Sequence, residues 1–236
     1  MTRRRWIADQ VSGNRAALTG AHADHLVRVL RVRVGQEFDI VANGVVRQGV
    51  VVAIADSLVD FELGEEIPAE PTAINLTLLL AIFKFDRMEW AIEKCTELGV
   101  TRIVPVIARR TDSHLASASA KRVERWRRLT VQAAEQSRRA SPPEIANPVK
   151  LREAVTLPAE LKIVLSEAEE QSQLRDVATP SGAVLLAVGP EGGWTEEELE
   201  LFRKHDWLSA SLGSTILRAE TAAIAATAIT MSALRR

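Results

Sequence analysis

The stretch GPEGG, Gly189 to Gly193, places three glycines and one carboxylate between the apolar run AVLLAV and the acidic run TEEELELF. Glycine tolerates positive φ and lets a ligand lie against bare backbone. A glycine turn ahead of a helix is a common cradle for phosphate. The carboxylates of Glu191, Glu196, Glu197 and Glu198 argue the other way, because they would repel a di- or triphosphate. The spacings of the Walker loop and of the G-x-G-x-x-G dinucleotide fingerprint are both absent. A ligand that is neutral or cationic at its reactive end fits the sign of this loop. Thr195 with Glu198 forms a capping box, so a helix starts directly behind it. First-turn glutamates also suit a helix dipole on their own account.

Two further loops of unusual composition follow apolar strands. LSEAEE, with Leu165, Ser166 and Glu167, comes after LKIVL, and LGSTILRAETAA comes after WLSAS. The latter contains Leu212, Gly213, Ser214, Ile216 and Leu217, then Arg218 and Glu220. In open α/β sheets ligands bind beyond the carboxyl ends of the strands. Glycine-lined loops that hold an adenosine compound without phosphates point to S-adenosylmethionine, whose sulfonium is positive. An acidic glycine loop can also be no more than a tight turn.

Elements that could carry these loops are visible in the hydrophobic pattern. From INLTLLLAI at residue 74 onward, strand-like apolar runs alternate with helical stripes, which predicts an α/β fold with a mostly parallel sheet and helices on both faces. One stripe is Met88, Ile92, Cys95 and Leu98, stopped by Gly99. Cys95 lies on its inward face and reads as a core thiol. A long helix is expected from about Ser119, with Val123, Trp126, Leu129 and Ala133 facing inward. The first third reads as β structure, with Asn43-Gly44 as a hairpin turn. EEIPAEPTA suits a linker, so the boundary is expected near residue 70, giving domains 1–70 and 71–236.

At 236 residues the chain can bury a core, and 47% hydrophobic with 26% charged residues is ordinary for a globular protein. A net charge of -1 excludes a globally basic nucleic-acid binder but not local basic patches. One cysteine excludes a disulfide framework. The four histidines, His22, His25, His114 and His205, are not at metal-ligand spacing, so no metal is expected. No apolar run reaches membrane-spanning length, and the location expected is cytoplasmic. Arg3, Arg4, Arg5, Arg28, Arg31, Arg33 and Arg47 cluster in the first third near Trp6 and His25, and a second basic strip spans Lys121 to Arg128. A charge run is usually a solvated face. Interleaved with apolar residues, it also suits RNA phosphates.

GPEGGWTEEE and LGSTILRAETA together resemble the signature of the SPOUT, or α/β-knot, methyltransferases. More narrowly they resemble the RsmE-type 16S ribosomal RNA (uracil-N3) methyltransferases. KFDRMEWAIEKCTELGV, AAEQSRRASPPEI and DHLVRVLRVRVGQ fit the same family, so the resemblance spans nearly the whole chain. Trp194 stands where a phenylalanine is common. The resemblance implies a C-terminal trefoil-knot domain whose three loops hold S-adenosylmethionine, Pro190 and Gly192 included. It also implies a homodimer and an N-terminal PUA-like β-barrel. RNA would be docked by Arg3, Arg4, Arg5, His25, Arg28, Arg31 and Lys84. The implied activity is methylation of N3 of a specific uridine in 16S ribosomal RNA of the small subunit. As the imide proton leaves, anionic character spreads over N3, O2 and O4, and a fixed guanidinium suits that charge. Arg138 or its neighbour Arg139, and Arg218, are the candidates, with Glu191 or Glu220 accepting the proton or orienting the arginine. Alternatives are a knotted ribose 2′-hydroxyl methyltransferase of RNA and a non-catalytic RNA-binding ribosome-assembly module.

Overall fold

In the computed structural model, which describes residues 5–68, 74–179 and 181–234, Asn43 and Gly44 take φ of 52° and 81°. Paired positive φ is what a two-residue hairpin turn demands. The turn joins β4 (Glu37–Ala42) to β5 (Val45–Ala55). With β1 (Arg5–Ile7), β2 (Gln10–Ser12), β3 (Arg15–Thr19) and β6 (Leu58–Glu66) they form a six-stranded sheet ordered β1-β4-β5-β6-β3-β2. All neighbours in it are antiparallel except β1 and β4. Leu18, Leu26, Ile40, Val59 and Phe61 are buried in its core.

Within the stretch expected to be β, residues 20–29 are instead helical: α1 (Gly20–Asp24) runs into a π-helical turn over His25–Val29. Leu26 and Leu30, four apart, point one way as a helix requires, with Leu26 buried and Leu30 half-buried. Val29 and Val34, two of the apolar residues interleaved with the arginines, are exposed.

The second sheet contains β7 (Asn75–Ala81), β8 (Arg102–Ile107), β9 (Glu144–Ile145), β10 (Val149–Lys150), β11 (Leu161–Leu165), β12 (Ala183–Val188) and β13 (Leu208–Ala210). Its order is β10-β8-β7-β12-β11-β13, with β9 beside β8, and each pairing is parallel. Between the strands run α2 (Phe85–Leu98), α3 (Ser113–Ser119), α4 (Val123–Gln136), α5 (Leu151–Ala154), α6 (Leu174–Val177), α7 (Glu196–Lys204) and, last, α8 (Ala219–Leu234). The helix expected from Ser119 begins after a 3-10 turn, at Val123, and buries Val123 and Trp126. Successive strand residues face opposite ways, which is why these strands read as unbroken apolar runs. Leu76, Leu78 and Leu80 enter the core with α2 and α8, whereas Leu79 and Ala81 enter a second core with Trp194, Phe202 and Trp207.

The chain divides into two compact units. One takes residues up to 71 together with Ala134–Ser141, and the other takes the rest, so α4 starts in the second unit and ends in the first. Among the described residues no helix is long and apolar enough to cross a membrane.

Candidate functional site

Strands β12, β11 and β13 are adjacent and parallel, so their carboxyl ends open side by side. The loops leaving them enclose one cavity, with Ala219 and Ala222 of α8 also on its wall. Leu165, Ser166 and Glu167 come from the first loop, and Gly189, Pro190, Glu191 and Gly193 from the second. Leu212, Gly213, Ser214, Ile216 and Leu217 come from the third. Residues up to 52 positions apart in sequence thus share one wall because their strands are neighbours.

Gly192 is the exception and a correction. A Cβ built on Gly192 would meet Arg110 Cδ at 3.2 Å, so this residue turns towards Arg110 and does not line the cavity. Positive φ in this loop belongs to Gly193, at +69°, where a Cβ would lie 2.5 Å from Glu167 Oε1. Gly213 has φ of +117°. The turn is closed by the Gly193 N–H donating to the Pro190 carbonyl at 2.9 Å.

Distant partners brace the loops. Trp194 Nε1 donates to the Leu165 carbonyl at 3.1 Å, tying the second loop to the end of β11. Its ring packs edge-on against Phe202 at 5.0 Å. The Arg110 guanidinium donates to the carbonyls of Gly192 and Trp194. Glu198 is buried and engaged twice over: Oε2 accepts from the Thr195 N–H at 2.9 Å in the capping box, and Oε1 accepts from the Arg109 N–H at 2.7 Å. Glu196 pairs with Arg203 at 2.5 Å. Most of the acidic crowd therefore serves α7. The carboxylates on the cavity wall are Glu191 and Glu167, and no lysine or arginine lines it.

Around Glu191 lies a group of charges. Arg87, in the first turn of α2, donates through Nη1 to Glu191 Oε1 at 2.9 Å, and its Nε lies 3.9 Å from Glu220 Oε1. Glu220 is only 6% exposed, and its Oε2 has no hydrogen-bond partner among the described residues. Arg218 is exposed, flanked by the lining residues Leu217 and Ala219, and its side chain has no ion pair among the described residues. Arg138 is not among the residues lining the cavity. It belongs to the first unit, where its φ is 60° and its carbonyl accepts from the Arg5 guanidinium. Arg139 is in the same segment, and burial pushes its guanidinium pKa down.

Of the expected RNA-contacting residues, Arg3 and Arg4 lie outside the described residues. Arg5 sits 3.8 Å from Asp39. His25 is exposed beside the Trp6 ring at 5.7 Å, and Arg28, Arg31 and Lys84 are exposed. In the strip at 121–128, Arg122 and Arg125 share Glu89 and Arg127 pairs with Glu124, two carboxylates against five cations. Among the described residues, no three His, Cys, Asp or Glu side chains are grouped to hold a metal. Arg87 and Arg110 were not among the residues expected from the sequence, because their partners are 104 and 82 positions away and pairing at that distance leaves no local pattern.

Residues 70–231 match the model of the RNA methyltransferase domain family. The ribosomal RNA small subunit methyltransferase E of Rickettsia conorii is 38% identical over 170 residues, covering 70% of this chain and 68% of that one. A methyltransferase of Legionella pneumophila, solved with bound S-adenosylmethionine, superposes with a TM-score of 0.89 at 28% identity, covering 99% of this chain and 98% of its own. The ribosomal RNA small subunit methyltransferase E of Neisseria gonorrhoeae, solved bound to S-adenosylmethionine, gives a TM-score of 0.86 at 32% identity, covering 98% of each chain.

Proposed function

The chain belongs to the RNA methyltransferase domain family, and on that premise we propose that it methylates N3 of a specific uridine in 16S ribosomal RNA of the small subunit, using S-adenosylmethionine. The observation that carries this reading is the cavity at the ends of β11, β12 and β13. Its wall bears Glu167 and Glu191 and no cationic side chain. That sign favours a cation and opposes a polyphosphate. The left-handed backbone of Gly193 and Gly213 keeps the wall free of side chains at two points, so the residues present fit the cofactor.

When bound, S-adenosylmethionine supplies an electrophilic methyl group on a positive sulfur. The chain's part is to hold the base and manage its charge. Arg218, unpaired among the described residues, lies next to the cavity and provides a guanidinium for the anionic character on the uracil oxygens. Among the described residues Glu191 leaves Oε2 without a partner, as an acceptor for the N3 proton. The exposed Arg28, Arg31 and Lys84, with His25, supply contacts to RNA. The protein works as a cytoplasmic homodimer in this reading. Half-buried Ile224, Ala225, Ala228 and Ile229 of α8 offer the second copy an apolar row.

Calorimetry should show binding of S-adenosylmethionine and none of ATP or NAD. Small subunits from cells lacking the protein, incubated with it and the cofactor, should yield 3-methyluridine on nucleoside mass analysis. Equal affinity for ATP, or methyl on a ribose 2′-hydroxyl, overturns the reading. Arg218→Ala should slow single-turnover transfer by about 100-fold, as loss of one donor to a developing anion does, with cofactor affinity unchanged. Sedimentation should give a dimer at working concentration.

A further inference from the structure

We propose that Arg87 is a positioning residue for the transfer step. It is braced by Glu220 and fixes the Glu191 carboxylate so that one oxygen is held and the other faces the reacting base. The inference rests on the function proposed above.

Glu220 carries the argument. A buried carboxylate is costly unless paired and fully hydrogen-bonded. Glu220 meets neither condition well: it is only 6% exposed and, among the described residues, its Oε2 has no partner and its one ion pair is with Arg87, at 3.9 Å. The amino end of α8 favours a negative charge there, but that does not require Arg87 alongside. What the buried carboxylate does specifically is give the guanidinium an electrostatic neighbour on a rigid helix. Arg87 in turn spans from α2 to the glycine loop, where Nη1 holds Glu191 Oε1 at 2.9 Å. Arg87 is absent from the cavity wall whereas Glu191 is on it. It acts, therefore, through Glu191.

A tethered carboxylate is a better-placed acceptor than a free one on a glycine turn, because the rotamer entropy is lost before the substrate arrives. In the step assigned to Glu191, the N3–H bond breaks, its electron pair remains on N3, and the proton forms an O–H bond at Oε2. A lysine at position 87 would keep the charge but lose the planar fork that reaches two carboxylates at once.

The test is a double-substitution cycle on the full chain: Arg87→Ala, Glu191→Gln and the pair together, with Arg87→Lys as the conservative variant. S-adenosylmethionine affinity and thermal melting are measured beside the single-turnover rate. Arg87→Ala should slow transfer by about tenfold or more, as misplacement of a reacting group does, with cofactor affinity within about twofold. Arg87→Lys should recover part of the rate. With Gln at position 191, removing Arg87 should cost little further. If the two substitutions multiply as independent effects, or if affinity falls in step with rate, Arg87 is structural and the inference is overturned. A wild-type protein that transfers no methyl to RNA overturns the proposed function as well, whereas active wild type with independent effects removes this inference alone.

Discussion

Gly192 and Gly193 are neighbours of the same type with different tasks, and substitution should separate them. Gly193 has φ of +69°, and a Cβ there would lie 2.5 Å from Glu167 Oε1. A β-branched residue at such a φ costs about 1–2 kcal/mol in backbone alone. Gly193→Val should therefore weaken S-adenosylmethionine binding by about tenfold or more, measured by calorimetry. At Gly192 a Cβ would meet the flexible Arg110 side chain at 3.2 Å, and Gly192→Ala should change affinity by no more than about twofold. Glycine types and their place after a strand were readable in the sequence, and so were all three loops. Which glycine takes positive φ was not, because that depends on the turn closed between Pro190 and Gly193. The roles of the glutamates were equally hidden. Glu198 looked like a dipole partner and also accepts from Arg109, 89 positions away.

At the scale of elements, the packing of α2 on α8 makes the one cysteine inert. Cys95 is buried, Thr227 Oγ1 donates to its sulfur at 3.4 Å, and burial pushes its pKa up to about 12. In the unfolded chain the thiol titrates near 9.0. A raised folded value means that the native state keeps a proton which the unfolded chain releases, so stability is lost as pH climbs from about 9 towards 12. Urea midpoints measured between pH 8 and 11 should fall less steeply in Cys95→Ala than in the wild type, and the native thiol should resist alkylation at pH 8. The stripe that placed Cys95 inward was legible because a helix repeats at 3.6 residues. Strands β7, β8, β11 and β12 were legible too, since cover on both faces makes them continuous apolar runs. Residues 20–29 were absorbed into a first third read as β structure because a short turn of helix gives too few periods to outweigh the β-branched residues around it. Strand order left no trace in the sequence: nothing in AVLLAV says that β12 lies between β7 and β11.

At the scale of the whole molecule, the near-neutral net charge of -1 means that RNA affinity must come from local patches. Arg28, in the π-helical turn, and Arg31, just beyond it, are exposed, and among the described residues Arg28 has only Asp24 as an ion-pair partner, at 3.9 Å. Arg28→Ala with Arg31→Ala should flatten the salt dependence of RNA binding by roughly 1 to 2 units of slope, with cofactor affinity unchanged. An unchanged slope would assign these arginines to an ordinary solvated face. Another consequence lies in the excursion of residues 134–141 into the first unit. No single cut releases either unit whole. A piece ending at residue 71 keeps all six strands of its sheet, but it lacks the Glu135 carboxylate that accepts from the Ile7 N–H at 3.0 Å and the Arg138 carbonyl that receives Arg5. A protease site engineered after residue 71 should therefore give two bands in denaturing gels and one particle in gel filtration, since residues 134–141 of the downstream piece would stay packed with the upstream one.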